Sequence, residues 1–355
     1  MVRSGRYIGG EECEALENDL RSLTGAGYAI GTGNGLDALT LILRGYVQLG
    51  KLRKGDGVIV PANTFIATIL AVTAAGLRPI PVDADPLTYN IDAAAITESD
   101  LAQAKAIMVT HLYGRNAWTP ELRDLAMRRG LITIEDAAQS IGATSATPGI
   151  AGGLMTGHLG HAAAFSFYPT KNVGALGDAG IVTTDDQALA SAVHALANYG
   201  SDRRYHNIYA GVNSRLDPIQ AAMIRVKLRH IEHVNSRRRE NAALYTELIN
   251  STYIVPPQAP VQASDHVWHQ YVIDAGAHRE EFRSYLTDRG VGTDIHYPTP
   301  PMHQPCYQAL DCRNNFAITD RLASSILSLP ISEATSTADV REISNIINEF
   351  KRSAY

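Results

Sequence analysis

The residue of this sequence best placed for chemistry is a single lysine. Lys171 lies in 165-FSFYPTKN-172, directly after an apolar, strand-like run that stops at Tyr168 and Pro169. The residues that come next, 173–180, are small and rich in glycine. A lysine in a pocket that lowers its pKa can form a Schiff base with a carbonyl group. Taken alone, the segment is equally consistent with a surface lysine on a β-hairpin.

A pair of carboxylates ends a second apolar run, 132-ITIEDAAQS-140. A strand here would deliver Glu135 and Asp136 to its carboxyl end, and Gln139 lies close behind them. A carboxylate in such a position can bind a metal, cap the next turn, or pair with a buried cation. The sequence leaves these three roles open.

Two further segments can bind a ligand at the same kind of strand end. In 31-GTGNGLDAL-39 a glycine-rich turn opens a helix, where free backbone N–H groups and the helix dipole favour an anion. Gly35 would let a phosphate approach the backbone closely. The pattern is neither G-x-G-x-x-G nor a P-loop, and a plain strand-to-helix turn fits equally well. In 61-PANTF-65, Phe65 can cover a flat ring or pack as a core aromatic.

The four segments together have the parts needed to bind pyridoxal phosphate. The phosphate would lie at the helix N-terminus near Gly35, and the ring would lie against Phe65. Asp136 would keep the pyridine nitrogen protonated, and Lys171 would form the Schiff base. Ligands of open α/β sheets bind beyond the carboxyl ends of the strands, where all four segments are predicted.

The elements that position these residues alternate between short β-branched runs and helical patterns. This alternation predicts an α/β domain with a largely parallel sheet covered on both faces. Helices are predicted at 65–75, from Thr119 onward, at 186–200 and at 217–249, the last with a break near Asn235. The predicted strands are 58–61, 79–83, 106–110, 131–136, 162–167 and 180–184.

The pattern resets beyond a loop-like, proline-rich stretch, 251-STYIVPPQAP-260, which predicts a second, smaller domain of α+β type. The large cofactor-binding domain is assigned to residues 1–235 and the small C-terminal domain to 236–355. The second domain is predicted to contain strands at 267–273 and 291–297 and helices at 279–289, 317–328 and 338–351.

Composition restricts the possible partners. The 355 residues are 45% hydrophobic and 19% charged with a net charge of −5, as in an ordinary globular protein without a nucleic-acid surface. No membrane span and no signal peptide is apparent. The three cysteines, Cys13, Cys306 and Cys312, form no C-x-x-C pair, which predicts reduced thiols in a cytoplasm. The helical pair His230 and His233 lacks further ligands, so no metal site is predicted.

Seven motifs in one order carry a family resemblance: NGLDAL, PANTFIAT, HLYG, IEDAAQ, FSFYPTKN, GDAG and GVNSRLDPIQAA. They resemble the DegT/DnrJ/EryC1/StrS family of sugar aminotransferases, from about Gly5 to the C-terminus. The resemblance implies the aspartate-aminotransferase fold (type I, dependent on pyridoxal 5'-phosphate), with a mostly parallel mixed sheet. Segments 266–273 and 296–307 are most similar to the branch acting on nucleotide-linked 3-keto-6-deoxyhexoses.

The resemblance also implies roles for individual residues. Lys171 matches the Schiff-base lysine, and Asn213 matches an asparagine that crosses a two-fold dimer interface to the neighbour's phosphate. Asn213 can alternatively cap the helix that begins near Asp217. The residues implied in cofactor binding are Gly35, Leu36, Phe65, Asp136, Gln139, Ser166, Lys171 and Asn213, and those implied to face the sugar, or else to pack in loops, are Tyr168, His296 and Tyr297.

The activity implied is transfer of an amino group from L-glutamate to a nucleotide-linked 3-keto-6-deoxyhexose, with dTDP as the expected nucleotide. The alternatives are a 4-keto-sugar or amino-cyclitol aminotransferase, a sugar dehydratase, which would carry histidine in place of Lys171, and a non-catalytic cofactor-binding regulator. Family members usually have a further helix before the segment that corresponds to 4-SGRYIGG-10. In this sequence the segment lies almost at the start. We expect this difference from the family to affect dimer contacts and stability, not the chemistry.

Overall fold

The computed structural model describes residues 5–145, 153–308 and 315–351. Cys312 therefore lies outside the described residues, while Cys13 is a buried free thiol and Cys306 an exposed one. The helices of the described ranges are α1 (Glu11–Thr24), α2 (Gly35–Gln48), α3 (Ile66–Ala74), α4 (Glu98–Gln103), α5 (Pro120–Arg129), α6 (Gln187–Ala197), α7 (Pro218–Leu228), α8 (Ile231–Leu248), α9 (Arg279–Thr287), α10 (Ala317–Ser325) and α11 (Thr337–Glu349).

The strands form one large sheet and two short ribbons. The large sheet has the order β1-β7-β6-β5-β4-β2-β3. Strands β2 to β6 run parallel, and β7 is antiparallel to both β6 and β1. The strands are β1 (Tyr28–Thr32), β2 (Gly57–Pro61), β3 (Arg78–Val82), β4 (Ala104–Thr110), β5 (Ile132–Asp136), β6 (Ala162–Ser166), β7 (Gly180–Thr184), β8 (Ser201–Arg203), β9 (His206–Asn207), β10 (Tyr271–Asp274) and β11 (Ile326–Leu329).

Both faces of the large sheet are covered, which explains its continuously apolar strands. Val58 and Val60 of β2 join one buried cluster with apolar residues of α2, α3 and α6. Ile59, between them, points to the opposite face and packs with Leu122 of α5. Since strand side chains alternate in direction, a strand buried on both faces needs apolar residues at successive positions. The predicted α/β class with a mostly parallel mixed sheet is confirmed.

Several predicted elements differ from those observed. The edge strand β1 and helix α1 are absent from the sequence-based assignment. The break in the long helical segment falls at Arg229 and His230, not at Asn235. Residues 291–297 form no strand; Asp294 makes a single bridge to Ser328. The helix predicted to 328 ends at Ser325, because the chain continues as β11.

A separate buried cluster lies in the C-terminal part of the chain. It packs Tyr245 of α8 and Phe282 of α9 against Tyr271 of β10 and Ile347 of α11. The proposed division into 1–235 and 236–355 falls inside α8, which is continuous across that point. We keep two domains as a proposal, with α8 as the element they share.

A carboxylate from the large sheet anchors the C-terminal part at one point. Asp83, directly after β3, accepts hydrogen bonds from the backbone N–H groups of Ile318 and Thr319 and from the Thr319 hydroxyl at 2.8–3.0 Å. The first turn of α10 is therefore capped by a residue at the carboxyl edge of the sheet.

Within the described ranges, no helix is long and apolar enough to cross a bilayer. In the same ranges no group of three or more His, Cys, Asp or Glu side chains is arranged to bind a metal ion.

Candidate active site

The carboxyl ends of β5 and β6 bring the two main candidates together. Asp136 is the last residue of β5, and Lys171 lies in the turn after β6. The backbone N–H of Lys171 donates to the carbonyl of Tyr168 at 2.9 Å, which closes that turn. Each of the two side chains acts on the pKa of the other, so they share one electrostatic environment.

The environment of Lys171 favours the neutral form of its amine. Burial lowers the pKa of Lys171 to about 8, and the negative charge of Asp136 opposes this shift. An amine with such a pKa is partly neutral near physiological pH, whereas an ordinary lysine is almost entirely charged. The chain packs tightly after the lysine: a Cβ at Gly174 would lie 2.2 Å from the carbonyl oxygen of Pro169, which restricts this position to glycine.

Asp136 is held in a fixed orientation by two donors. Its Oδ2 accepts from the Thr68 hydroxyl at 2.7 Å, and its Oδ1 accepts from the backbone N–H of Ala138 at 3.2 Å. Burial raises the pKa of Asp136, while these two hydrogen bonds and the charge of Lys171 lower it. A buried, oriented carboxylate of this kind is suited to pair with a cationic group such as a protonated ring nitrogen.

The neighbouring carboxylate has a different task. Glu135 points to the other face of the sheet and is almost fully buried. Its Oε2 lies 2.9 Å from Nε2 of His111, and its oxygens accept from the N–H groups of Gly157, Leu159 and Gly160 at 2.7–2.8 Å. Its hydrogen-bonding capacity is taken up within the fold, so it is a structural residue.

The amino terminus of α2 lies against the end of β6. Asn34 caps the helix by accepting from the N–H of Asp37 at 2.8 Å. The N–H groups of Gly35 and Leu36 head the helix, where the helix itself offers no acceptors. A Cβ at Gly35 would lie 2.7 Å from the Cβ of Ser166, so glycine is required for this approach. The structure thus brings Gly35, Leu36 and Ser166 together, as predicted.

Gln139 connects the sheet edge to the C-terminal part of the chain. Its Oε1 accepts from the N–H of Tyr113 at 2.5 Å, and its Nε2 donates to the Tyr297 hydroxyl at 3.1 Å. The ring of Tyr297 lies 5.2 Å from that of Phe65, centroid to centroid. Phe65 is half exposed, so one face remains available to a ligand.

The three residues expected to face the sugar lie in different surroundings. Tyr168 is exposed. Nδ1 of His296 lies 2.8 Å from the Ser328 hydroxyl, and burial lowers the pKa of His296. Tyr297 contacts Phe65 and Gln139, and burial raises its pKa. The backbone carbonyl of His296 also accepts a hydrogen bond from the Tyr113 hydroxyl.

Asn213 lies on the surface of the chain near the amino terminus of α2. Its neighbour Ser214 donates to Oδ2 of Asp37 at 2.6 Å and accepts from the N–H of Gly33 at 3.0 Å. These contacts hold the segment against the start of α2, while the Asn213 side chain is exposed. Asn213 is also not the N-cap of α7, which is Asp217.

Two site residues, Thr68 and Tyr113, were not singled out by the sequence analysis. Both belong to motifs of the family resemblance, PANTFIAT and HLYG. Membership of those motifs is the feature of the sequence that could have identified them as site residues. Their partners, Asp136 and Gln139, are far along the chain, and only the folded sheet shows the contacts.

The donor set fits a phosphorylated aromatic aldehyde. It offers an amine of lowered pKa, a buried carboxylate for a ring nitrogen, an aromatic face and a helix N-terminus for a phosphate. The steric need for glycine at position 35 fits this interpretation, because a side chain there would close the gap between α2 and Ser166.

Comparisons with known proteins agree with this geometry. Residues 1–348 match the model of the DegT/DnrJ/EryC1/StrS aminotransferase family. The chain is 44% identical to dTDP-3-amino-3,6-dideoxy-alpha-D-galactopyranose transaminase of Aneurinibacillus thermoaerophilus, over 99% of this chain and 93% of that protein. It is 42% identical to the erythromycin biosynthesis sensory transduction protein EryC1 of Saccharopolyspora erythraea, over 93% and 88% of the two chains.

A solved structure shows the same fold. The crystal structure of DesV from S. venezuelae, in complex with a ketimine intermediate, superposes with a TM-score of 0.89 at 38% identity. The alignment covers 98% of this chain and 91% of that one. The fold assigned from the sequence resemblance is therefore confirmed, and the chain belongs to the DegT/DnrJ/EryC1/StrS aminotransferase family and is an aminotransferase.

Proposed function

We propose that the protein uses pyridoxal 5'-phosphate to transfer an amino group from L-glutamate to a dTDP-linked 3-keto-6-deoxyhexose, giving a 3-amino sugar nucleotide. The observation that carries the proposal is the position of Lys171 and the buried Asp136 at one sheet edge, where the charge of each acts on the pKa of the other. The choice of sugar is supported by the transaminase that is 44% identical, whose name specifies a dTDP-linked 3-amino-3,6-dideoxy sugar.

Each part of the cofactor has a matching group in the chain. The N–H groups of Gly35 and Leu36, with the Ser166 hydroxyl, would bind the phosphate. Phe65 would cover the ring, and Asp136 would bind the ring nitrogen. Gln139 would lie near the ring's oxygen substituent.

Lys171 would carry out both the covalent and the proton-transfer steps. Bound pyridoxal phosphate supplies an electron sink for charge that develops at the amino-bearing carbon. The neutral Nζ of Lys171 takes the proton from Cα of glutamate and, in the second half of the cycle, returns a proton to the sugar carbon that receives nitrogen. Asp136, oriented by the hydrogen bond from Thr68, would offer its carboxylate to the ring nitrogen.

The residues that would contact the substrate and the partner subunit are inferred from their positions in the chain. Tyr168, His296 and Tyr297 would contact the sugar nucleotide above the ring. The protein would act as a homodimer, with Asn213 reaching the neighbouring subunit's phosphate site. Exposed apolar side chains close to Asn213 along the chain support such an interface: Tyr199, Tyr205, Ile208 and Val212.

The test is incubation of the purified protein with L-glutamate and a panel of nucleotide-linked 3-keto and 4-keto sugars, with an amino-cyclitol precursor as a further substrate. NMR of the product gives the carbon that bears the new amine. We expect amination at C3 and formation of 2-oxoglutarate. Amination at C4 or of the cyclitol would replace the proposed substrate, and cofactor binding without any amino transfer would indicate a regulator.

A further inference from the structure

Tyr113, in the turn after β4, has no role in the function proposed above, yet it contacts two of the residues assigned to the site. Its backbone N–H donates to Oε1 of Gln139 at 2.5 Å. Its hydroxyl donates to the backbone carbonyl of His296, the residue before Tyr297. One residue is therefore hydrogen-bonded on both sides of the contact between Gln139 and Tyr297.

The conformation of Tyr113 depends on its surroundings. Its backbone lies in the left-handed region, with φ of 60° and ψ of 6°, which is uncommon for a residue with a side chain. Such a conformation persists only where neighbouring contacts hold it. The side chain is buried, and its ring meets that of Tyr89 edge-on with 6.5 Å between the centroids. This packing and the two hydrogen bonds together hold Tyr113 in place.

The N–H of Tyr113 determines which way the Gln139 amide faces. A backbone N–H can only donate, so the oxygen of the amide faces Tyr113 and the nitrogen faces Tyr297. Nε2 of Gln139 lies 3.1 Å from the Tyr297 hydroxyl, and it too can only donate. The Tyr297 oxygen is therefore the acceptor in this contact, and its own proton points elsewhere.

The proton of the Tyr297 hydroxyl is available to a ligand. Burial raises the pKa of Tyr297, so the hydroxyl keeps its proton near neutral pH. In the part of the chain that the structure describes, no group accepts a hydrogen bond from it. The Tyr297 ring lies 5.2 Å from that of the half-exposed Phe65, beside the space assigned to the ligands.

We propose that Tyr113 is a positioning residue that makes Tyr297 a hydrogen-bond donor to an oxygen atom of the sugar substrate. It holds the backbone before Tyr297 through His296 and directs the hydroxyl proton through Gln139. Nε2 of Gln139 carries two hydrogens, of which one goes to Tyr297 and the other remains for the oxygen substituent of the cofactor ring. The proton of Tyr297 is thus left for the sugar. This inference rests on the proposed function, which places Gln139 and Tyr297 at these two ligands.

The first test measures sugar binding separately from turnover. Calorimetry gives the dissociation constant of the dTDP-linked 3-amino-3,6-dideoxyhexose for the full-length protein loaded with pyridoxamine phosphate, which does not react with an amine. Tyr297→Phe removes the donor and should weaken binding about tenfold. Tyr113→Phe removes only the anchor to His296 and should weaken binding about threefold. The control, Tyr89→Phe, changes a tyrosine of the same buried cluster and should stay within about twofold of wild type.

The double variant distinguishes positioning from a purely structural role. If Tyr113 acts through Tyr297, Tyr113→Phe loses its effect once the Tyr297 hydroxyl is absent. The double variant should then bind about tenfold more weakly than wild type, as Tyr297→Phe does alone. Independent effects would multiply to about thirtyfold and would overturn the proposal.

The direction of the hydrogen bond is tested by Gln139→Glu. A carboxylate cannot donate, so the Tyr297 hydroxyl would donate to it and turn away from the sugar. We expect this variant to bind the sugar nucleotide about tenfold more weakly, with no further loss when Tyr297→Phe is added. Unchanged affinity in Gln139→Glu, or a further tenfold loss in that double variant, would contradict the donor role.

The two half-reactions separate this inference from the proposed function. Glutamate reacts with the cofactor-loaded protein in the absence of sugar, so Tyr113→Phe should keep the wild-type rate in that step. With the keto sugar it should lose about threefold in kcat/KM. Equal losses in both steps would overturn the proposal, because they would show a general effect on the fold. A wild-type protein that reacts with glutamate but binds no dTDP-linked sugar would refute the proposed substrate itself, and the inference with it.

Discussion

The hydroxyl of Thr68 donates a 2.7 Å hydrogen bond to Oδ2 of Asp136, joining the first turn of α3 to the end of β5. Thr68→Val removes the donor but retains the shape of the side chain. A hydrogen bond to a charged group contributes about 1.5–3 kcal/mol. We therefore expect kcat/KM to fall about tenfold to a hundredfold, measured with glutamate in the first half-reaction. Thr73→Val, on the same helix but bonded to Tyr307, is the matched control and should stay within twofold of wild type.

Replacement of Lys171 by alanine should abolish transamination. The variant lacks the amine that forms the covalent bond and moves the proton. Its visible absorption with added pyridoxal phosphate should lose the band of the bound Schiff base, and no 2-oxoglutarate should form from glutamate. The control is Lys227→Ala, which removes a nearby lysine whose amine donates to the carbonyl of Gly174. This variant keeps Lys171 and should retain the band. Normal turnover by Lys171→Ala would refute the assignment.

The lowered pKa of Lys171 predicts a pH dependence of stability in the cofactor-free protein. Its pKa is about 8 in the folded chain and near 10.5 when exposed, so the unfolded state binds more protons between these values. The free energy of unfolding should therefore rise as pH increases from 8 to 10.5, by up to about 3 kcal/mol.

This rise can be assigned to one residue by urea unfolding at several pH values. Lys171→Met should be more stable than wild type below pH 8 and should lack the rise. Lys105→Met, which changes an exposed lysine of β4, should show the same rise as wild type. An equal slope in wild type and Lys171→Met would contradict the burial of that amine.

Gly35→Ala should weaken cofactor binding through a steric clash. The new Cβ would lie 2.7 Å from the Cβ of Ser166, which belongs to a strand and cannot move easily. Overpacking of this kind costs about 1–3 kcal/mol, or about tenfold to a hundredfold in the dissociation constant for pyridoxal phosphate. Gly45→Ala in the same helix is the control, because the nearest atom to its Cβ would be the flexible end of Leu189, with Val193 and Ala192 at ordinary contact distance. Equal affinities in the two variants would argue against a phosphate at this helix.

The proposed role of Asn213 predicts complementation between inactive variants. Asn213→Asp would place a negative charge against the neighbour's phosphate, while Lys171→Ala removes the base in its own chain. Refolding the two together should restore about a quarter of the sites, because random pairing gives hybrid dimers with one intact site. The pair Lys171→Ala and Asp136→Ala, which affects a single chain's site, should show no recovery. No recovery in the first mixture would place Asn213 outside a shared site.

The amino-acid sequence alone predicted that two candidate site residues would meet at one edge of the sheet. Asp136 and Lys171 each come at the end of an apolar run, and parallel strands bring their carboxyl ends to one edge, so their proximity was predictable. The contacts that orient the two side chains could not be predicted. Thr68 and Asp136 are brought together by the packing of α3 on the sheet, and no local pattern encodes that pairing.

The errors in secondary structure have similar causes. Strand β1 is short and contains Gly31, and its partner β7 is far along the chain, so local propensity did not show it. Residues 291–297 have a strand-like composition, yet His296 and Tyr297 are held by Ser328, Tyr113 and Gln139. Tertiary contacts there outweigh local preference.

The adjacent carboxylates at the end of β5 limit how this protein can change in evolution. Glu135 satisfies four groups on one face of the sheet, and Asp136 serves the site on the other. A deletion or insertion of one residue within β5 would exchange their faces, because side chains alternate along a strand. It would bury an uncompensated charge and disable the site in a single event. We therefore expect the length of this strand to stay constant among homologues, so that it can serve as a fixed reference for aligning distant ones.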